Sequence, residues 1–381
     1  MNNGIHKGLL PTGLQDGLAP AAAHEAEVIE RLLGGFAAYG YERVKPPLIE
    51  FEEGLLAGPG AALAPQLFRL MDPVSQRMMA VRADMTPQIG RIVSTRLTGL
   101  ARPLRLCYAG QVLRVKGSQL RPERQFAQAG AELIGADALG ADVEIVLMAA
   151  EALATLGIAG LSVDIALPQL VPTLCADLGL TPEATEAVRR ALDRKDAAAL
   201  DQAVTAAGDR VLLSALLSTI GAADTALAEL RRLDLGARAA AMIDRLGGLL
   251  EGLRDAAPDL RLTIDPCESR GFEYQTGICF TLFARDVRGE LGRGGRYALE
   301  NGEPATGFTL YLDSVLRGLA PATAAEWVYL PFGTAAADGA RLRCEGWATV
   351  AGLAPDDDVT AAAKRQRCAH VWRNGAVEPL T

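Results

Sequence analysis

Apolar side chains recur at Val28, Ile29, Leu32, Leu33 and Phe36, the spacing of one helix face, with Pro20 before the run and Gly40 after it. The pattern predicts an amphipathic helix over 21–39. Tyr41 to Glu50 predicts an extended segment through Pro46-Pro47. Residues 66–82 predict a hairpin turning near Asp72-Pro73, and 104–114 and 125–134 predict two longer strands joined by a polar loop around Gly117. A helix at 141–156 and a strand at 161–166 follow. Residues 168–256 keep helical periodicity almost throughout, with breaks at Gly179-Leu180-Thr181-Pro182 and Gly221-Ala222. Strands return at 261–265 and 276–283. A helical block between strands reads as an insertion, at about 168–256, into a mainly antiparallel α+β domain over 1–320. Residues 321–381 predict a small C-terminal α/β unit. Its strands are Val328–Leu330, Trp347–Val350 and Ala369–Trp372. Its helix starts at Asp356-Asp357-Asp358 and ends in Lys364, Arg365 and Arg367, charges that suit the helix dipole.

Composition narrows the class. With 381 residues the chain has room for a large core and more than one domain. Half of the residues are hydrophobic, yet no uninterrupted apolar run is long enough to span a bilayer. Met1-Asn2-Asn3-Gly4-Ile5-His6-Lys7 lacks the basic-then-apolar order of a signal peptide. The six cysteines (107, 175, 267, 279, 344, 368) are scattered without a CxxC pair, which predicts reduced thiols in a cytoplasmic protein rather than zinc ligands or a disulfide framework. His6, His24 and His370 are far apart in sequence and support neither a triad nor a metal cluster. No metal or cofactor is expected. The net charge, 38 − 46 = −8, argues against a large nucleic-acid footprint.

Two stretches carry candidate chemistry. Along Phe126–Leu133, strand alternation puts Gln128, Gly130 and Glu132 on one face and Ala127, Ala129, Ala131 and Leu133 on the other. Gly130 leaves open space between an amide and a carboxylate. A solvated sheet face is the plainer reading of the same alternation. Asp84 and Thr86, in Val81-Arg82-Ala83-Asp84-Met85-Thr86-Pro87, suit a helix cap as well as a ligand. Gly292-Arg293-Gly294-Gly295 completes no dinucleotide or P-loop pattern and predicts a tight turn beside a pocket.

Several of these segments together resemble the histidyl type of class II aminoacyl-tRNA synthetase, over residues 8–320. Arg105–Arg114 followed by Arg124-Gln125-Phe126-Ala127-Gln128 and Glu132 resembles motif 2. Gly294-Gly295-Arg296-Tyr297, Gly307-Phe308 and Tyr311–Ser314 resemble motif 3, and the Tyr41–Glu50 segment with Pro47 resembles motif 1, the dimer-forming segment. Residues 81–87 resemble Leu-Arg-Pro-Glu-x-Thr, and Arg270-Gly271-Phe272-Glu273-Tyr274-Gln275 resembles the histidine signature Arg-Gly-Leu-Asp-Tyr-Tyr. The resemblance implies a histidine pocket formed by Asp84, Thr86, Arg114, Gln128, Glu132, Arg270, Tyr274 and Gln275.

It also implies a failed ATP site. Lys116 stands at a glutamate, Tyr311 at a small glycine and Ser314 at the phosphate arginine of that family. An amino-acid pocket beside a lost nucleotide clamp resembles the regulatory subunits of ATP phosphoribosyltransferase, synthetase paralogues that lack the full anticodon domain. The resemblance then implies no catalysis and no tRNA, and assembly as a homodimer and, with a short catalytic subunit, as a hetero-octamer. It also implies L-histidine as effector at the first step of histidine biosynthesis. Two other readings stay open at this point, an amino-acid-activating ligase of the histidyl type and an interaction module that has lost every ligand.

Overall fold

The computed structural model describes residues 8–117, 121–204, 206–269, 271, 274–321 and 325–380. The chain divides into two compact units, Met1–Asp16 with Glu25–Ala320, and Gly17–His24 with Pro321–Thr381. In chain order the strands of the first unit are β1 (Glu42–Arg43), β2 (Ile49–Phe51), β3 (Phe68–Met71), β4 (Met78–Val81), β5 (Leu104–Leu113), β6 (Gln125–Ile134), β7 (Leu161–Ala166), β8 (Gly221–Ala222), β9 (Arg261–Asp265), β10 (Gln275–Ala284), β11 (Gly292–Ala298) and β12 (Pro304–Tyr311). Nine of them form one sheet in the order β1-β5-β6-β12-β11-β10-β7-β9-β8. Only its β1–β5 and β7–β9 pairs are parallel, so the expected mainly antiparallel α+β architecture is the one observed.

The helix Ala21–Ala38 buries Val28, Leu32, Leu33 and Phe36, the stripe visible in the sequence. Phe36 meets Phe308 of β12 edge-on, with ring centroids 5.4 Å apart. Burying each such side chain is worth roughly 1.5–3 kcal/mol. The helices Leu139–Leu156 and Ala237–Ala256 join the same core, together with Ala127, Ala129, Ala131 and Leu133 of β6. The other face of β6 is buried too, against a second core that holds Tyr108, Phe126, Ile134, Tyr297 and Tyr311. The solvated-face reading of β6 is therefore excluded. Everything polar on that face must find an internal partner.

Gly292–Gly295 is not the turn expected from its glycines; it opens β11. A side chain at Gly294 would run into the Phe280 ring and the Gly307 carbonyl. The glycines here admit close neighbouring strands instead of bending the chain. The insertion is helical, as expected, with further breaks at 194–196 and 231–236. Gly221-Ala222 interrupts it by pairing with β9 at the sheet edge.

β2, β4 and β3 form a separate three-stranded sheet, and the hairpin turns at Asp72 as expected. Asp72 holds the turn through the amides of Val74 and Ser75. The register puts Ile49, Val81 and Phe68 side by side, then Phe51, Met79 and Leu70. One face is therefore wholly apolar, and all six of its residues are partly or fully exposed to solvent.

In the second unit β13 (Trp327–Leu330), β14 (Ala348–Ala351), β15 (His370–Arg373) and β16 (Ala376–Pro379) form a sheet ordered β14-β13-β15-β16. Asp358 caps the helix Val359–Arg365 through the Ala361 amide. The helix Ala336–Cys344 and strand β16 lie beyond the sequence expectation. Asn374-Gly375, both at positive φ, make the two-residue turn that joins β15 to β16.

Candidate functional site

Above the middle of the nine-stranded sheet lies a cavity of about 940 Å³. Its deepest acid is Glu132 on β6, only 1% exposed. Three hydroxyls donate to this carboxylate: Thr86 Oγ1 at 3.0 Å and Tyr108 OH at 3.1 Å to Oε1, and Tyr297 OH at 2.9 Å to Oε2. Three donors of this kind lower a carboxyl pKa. Burial outweighs them and pushes Glu132 up to about 8, from an ordinary value of 4.5. Two glycines make the room. A Cβ at Gly307 would overlap Glu132 Oε2, and one at Gly130 would lie 2.6 Å from Tyr108 OH. The space beside Gly130 is thus filled by a phenol rather than left open.

Asp84 and Thr86 sit where β4 gives way to the helix Thr86–Arg96, with Pro87 in its first turn. Asp84 Oδ1 accepts the Thr86 amide at 3.0 Å, so a cap-like bond is present, and the Thr86 hydroxyl is left to reach Glu132. The segment is clamped from behind by Arg82, only 6% exposed, which donates to the carbonyls of Gln111 and Pro46 and to Gln88 Oε1. Burial lowers the pKa of this guanidinium, and the charges of Glu50 and Asp84 oppose the shift.

Of the expected pocket residues, Asp84, Thr86, Arg114, Glu132, Tyr274 and Gln275 line the cavity. Gln128 does not. It is fully buried, with Oε1 accepting the Met85 amide and Nε2 donating to Asp84 Oδ2 at 2.9 Å. Its amide orients the acid in front of it. Arg114 follows β5, donates to the Ala83 carbonyl and lies 3.9 Å from Asp84 Oδ2. Tyr274 meets Tyr297 edge-on at 5.9 Å. Gln275 is 5% exposed and its Oε1 has no hydrogen-bond partner among the described residues, although its backbone carbonyl accepts from Gln169. A buried acceptor without a donor is costly unless a ligand supplies one. Arg270 lies outside the described residues.

The other part of the cavity wall is closed by its own side chains. Arg121, 8% exposed, lays its guanidinium 3.8 Å over the Tyr311 ring and pairs with Asp313 at 3.1 Å. Its Nη2 donates to Ser314 Oγ at 3.4 Å, and Arg317 donates to the same oxygen at 2.9 Å. Lys116 also lines the cavity, at an exposed position. Among the described residues no group of three or more His, Cys, Asp or Glu could hold a metal ion, and no helix is long and apolar enough to cross a membrane.

Sequence reasoning missed Tyr108, Thr309, which lines the cavity with its hydroxyl 2.8 Å from Tyr108 OH, and Arg121, and passed over Tyr297 and Gly307 as site residues. Register would have found the first two, since both Tyr108 and Thr309 pair with Gly130. Arg121 carried no signal, because it acts from a loop.

An acid beneath three hydroxyls, a second acid beside an arginine, and an orphaned amide oxygen together suit an amino-acid zwitterion on a class II synthetase-type scaffold. The histidyl-tRNA synthetase family profile matches residues 13–315. The chain superposes with a TM-score of 0.84 on a structure from Bacillus halodurans described as an ATP phosphoribosyltransferase regulatory subunit/histidyl-tRNA synthetase, at 26% identity over 94% of this chain and 96% of that one. Curated relatives are closer in sequence. The ATP phosphoribosyltransferase regulatory subunit of Rhodospirillum centenum is 56% identical over 98% of this chain and 96% of its own length, and that of Paramagnetospirillum magneticum is 54% identical over 99% and 100%. The chain belongs to the family of ATP phosphoribosyltransferase regulatory subunits, a branch of the histidyl-tRNA synthetase fold.

Proposed function

We propose that this chain carries no catalysis of its own and controls a short ATP phosphoribosyltransferase catalytic subunit at the first step of L-histidine biosynthesis, with L-histidine as the effector bound in the cavity. Membership of the regulatory-subunit family carries the assignment as a non-catalytic subunit. The observation that supports histidine is the pairing of Glu132 and Asp84 with the unpartnered Oε1 of Gln275. The ammonium goes to the two acids and the carboxylate to Arg114, as charge-assisted bonds favour. An imidazole N–H goes to Gln275, and Tyr274 packs beside the ring. Gln128 holds Asp84 in place. Self-association as a homodimer is supported by the apolar face of β2, β4 and β3, since an exposed patch of this kind marks an interaction surface. The regulatory complex is proposed as a cytoplasmic hetero-octamer without tRNA.

The test adds this protein to the short catalytic subunit and measures phosphoribosyl transfer from phosphoribosyl pyrophosphate to ATP. The expected result is activation without histidine and inhibition with it. Linkage requires the catalytic subunit's substrates to shift histidine affinity by the matching factor, typically ~1–3 kcal/mol of coupling. A catalytic subunit equally active and equally histidine-sensitive alone overturns the reading.

A further inference from the structure

A nucleotide needs a flat aromatic or apolar face for its base and cations for its phosphates. The cavity holds both kinds of group outside the amino-acid end, and the fold has already spent them on each other. One aromatic face there is that of Tyr311, whose ring meets the buried Phe126 edge-on at 6.1 Å. Arg121 covers the first at 3.8 Å and stands 5.3 Å from the second, which Arg114 also approaches at 5.1 Å. The Arg121 charge is met by Asp313 at 3.1 Å and Glu290 at 3.5 Å. Ser314 accepts from both Arg121 and Arg317 and is fully buried.

We infer that Arg121 is a specificity-determining residue, whose stacked and ion-paired guanidinium covers the Tyr311 ring and withholds that aromatic face and its own charge from a nucleotide. A side chain delivered from the loop between β5 and β6 thereby does more than the substitution at Ser314. Returning an arginine to position 314 adds a cation to a space that Arg121 and Tyr311 still occupy. Removing those two groups opens that stretch of the wall and leaves Lys116 and Arg293 along it. Every group involved belongs to this chain, so ATP binding by the chain alone tests the role of Arg121 separately from the regulatory partnership.

The experiment is equilibrium dialysis of the full chain against labelled ATP with magnesium, beside calorimetry with histidine on the same preparations. Wild type and Ser314→Arg are expected to show no saturable ATP binding at millimolar concentration. Arg121→Ala combined with Tyr311→Gly is expected to bind ATP at least about tenfold more tightly than wild type while keeping its histidine site. Saturable binding by wild type, or recovery by Ser314→Arg alone, overturns the inference. So does a double variant that binds histidine and gains no ATP affinity. Should that variant be unstable, Arg121→Gln with Tyr311→Ala carries the same comparison, and the wild-type and Ser314→Arg arms still decide.

Discussion

At the proposed site, histidine binding should release a proton from Glu132, and the expected size of the effect follows from the surroundings of that carboxyl. Burial raises this carboxyl to about 8 in the empty cavity, despite three hydroxyl donors. At pH 7 roughly nine-tenths of the molecules therefore carry it protonated. An ammonium is bound by a carboxylate, not by a carboxylic acid, so the ligand must first draw the proton off. That costs about 1.4 kcal/mol at pH 7, a factor of about ten in affinity, and each lower pH unit costs the same again. Through this group alone, affinity rises about 50-fold between pH 6 and pH 8 and levels off above. Binding at pH 7 releases about 0.9 proton.

Calorimetry in two buffers of different ionisation enthalpy reads that proton directly. The histidine imidazole also titrates in this range, so the comparison is with Glu132→Gln, which keeps the shape and removes the ionisation. The variant should lose the Glu132 part of the pH profile and the proton release. Wild type and variant with the same profile, or no buffer dependence in wild type, would refute the reasoning. The stability of the empty protein carries the opposite mark. A carboxyl whose folded pKa lies above its unfolded value stabilises the fold when protonated. That contribution is present below about 4.5 and is lost as pH rises toward about 8, with an upper limit on the order of 5 kcal/mol. Glu132→Gln should flatten this part of the melting-temperature curve, and histidine should raise the wild-type melting temperature most near pH 8.

Four further outcomes are expected. Gln275→Leu removes the acceptor proposed for the imidazole and should weaken histidine binding about 5–10-fold in calorimetry, about 1–1.5 kcal/mol, with little loss of stability; unchanged affinity sends the imidazole elsewhere. Gly307→Ala pushes a methyl into Glu132 Oε2 and should cost about 1–3 kcal/mol in denaturant melts while abolishing histidine binding. Leu70→Asp, at a position 36% exposed on the apolar sheet face, should shift the protein toward monomer in light scattering without changing its melting temperature; a variant that stays dimeric moves the interface off this sheet. Histidine-dependent pyrophosphate exchange should stay at the no-enzyme level, and activity well above it would restore the ligase reading.

What the sequence made legible and what it hid divide along a physical line. The core stripe of Ala21–Ala38 and the two-faced alternation of β6 could be read because burial acts on every second or every third to fourth side chain. Glu132 could be named, but its environment could not. Alternation alone gives Gln128 and Glu132 the same rank, and only register separates them, putting Tyr108 opposite Gly130 and Gly307 opposite Glu132. Gln128 then lies behind Asp84, and Glu132 faces the cavity. The glycines at 292–295 were misread as a turn because glycine has two uses, bending a chain and admitting a close neighbour. Arg121 was invisible for a third reason, since loop residues carry no periodicity and its partners Tyr311, Asp313 and Ser314 are about 190 positions away. The two halves of the cavity differ in how they are built. The acidic half is made by facing strands, where a substitution at Gly307 or Tyr297 disturbs the buried hydroxyl network around Glu132. The other half is made by a loop side chain stacked on Tyr311, which a chain can acquire or lose without touching the sheet. Changes in the loop half therefore leave this scaffold intact, while changes that erase the acidic half, proposed to hold the amino acid, damage its core. A pocket that keeps its acids and stacks Arg121 on Tyr311 is what that asymmetry predicts.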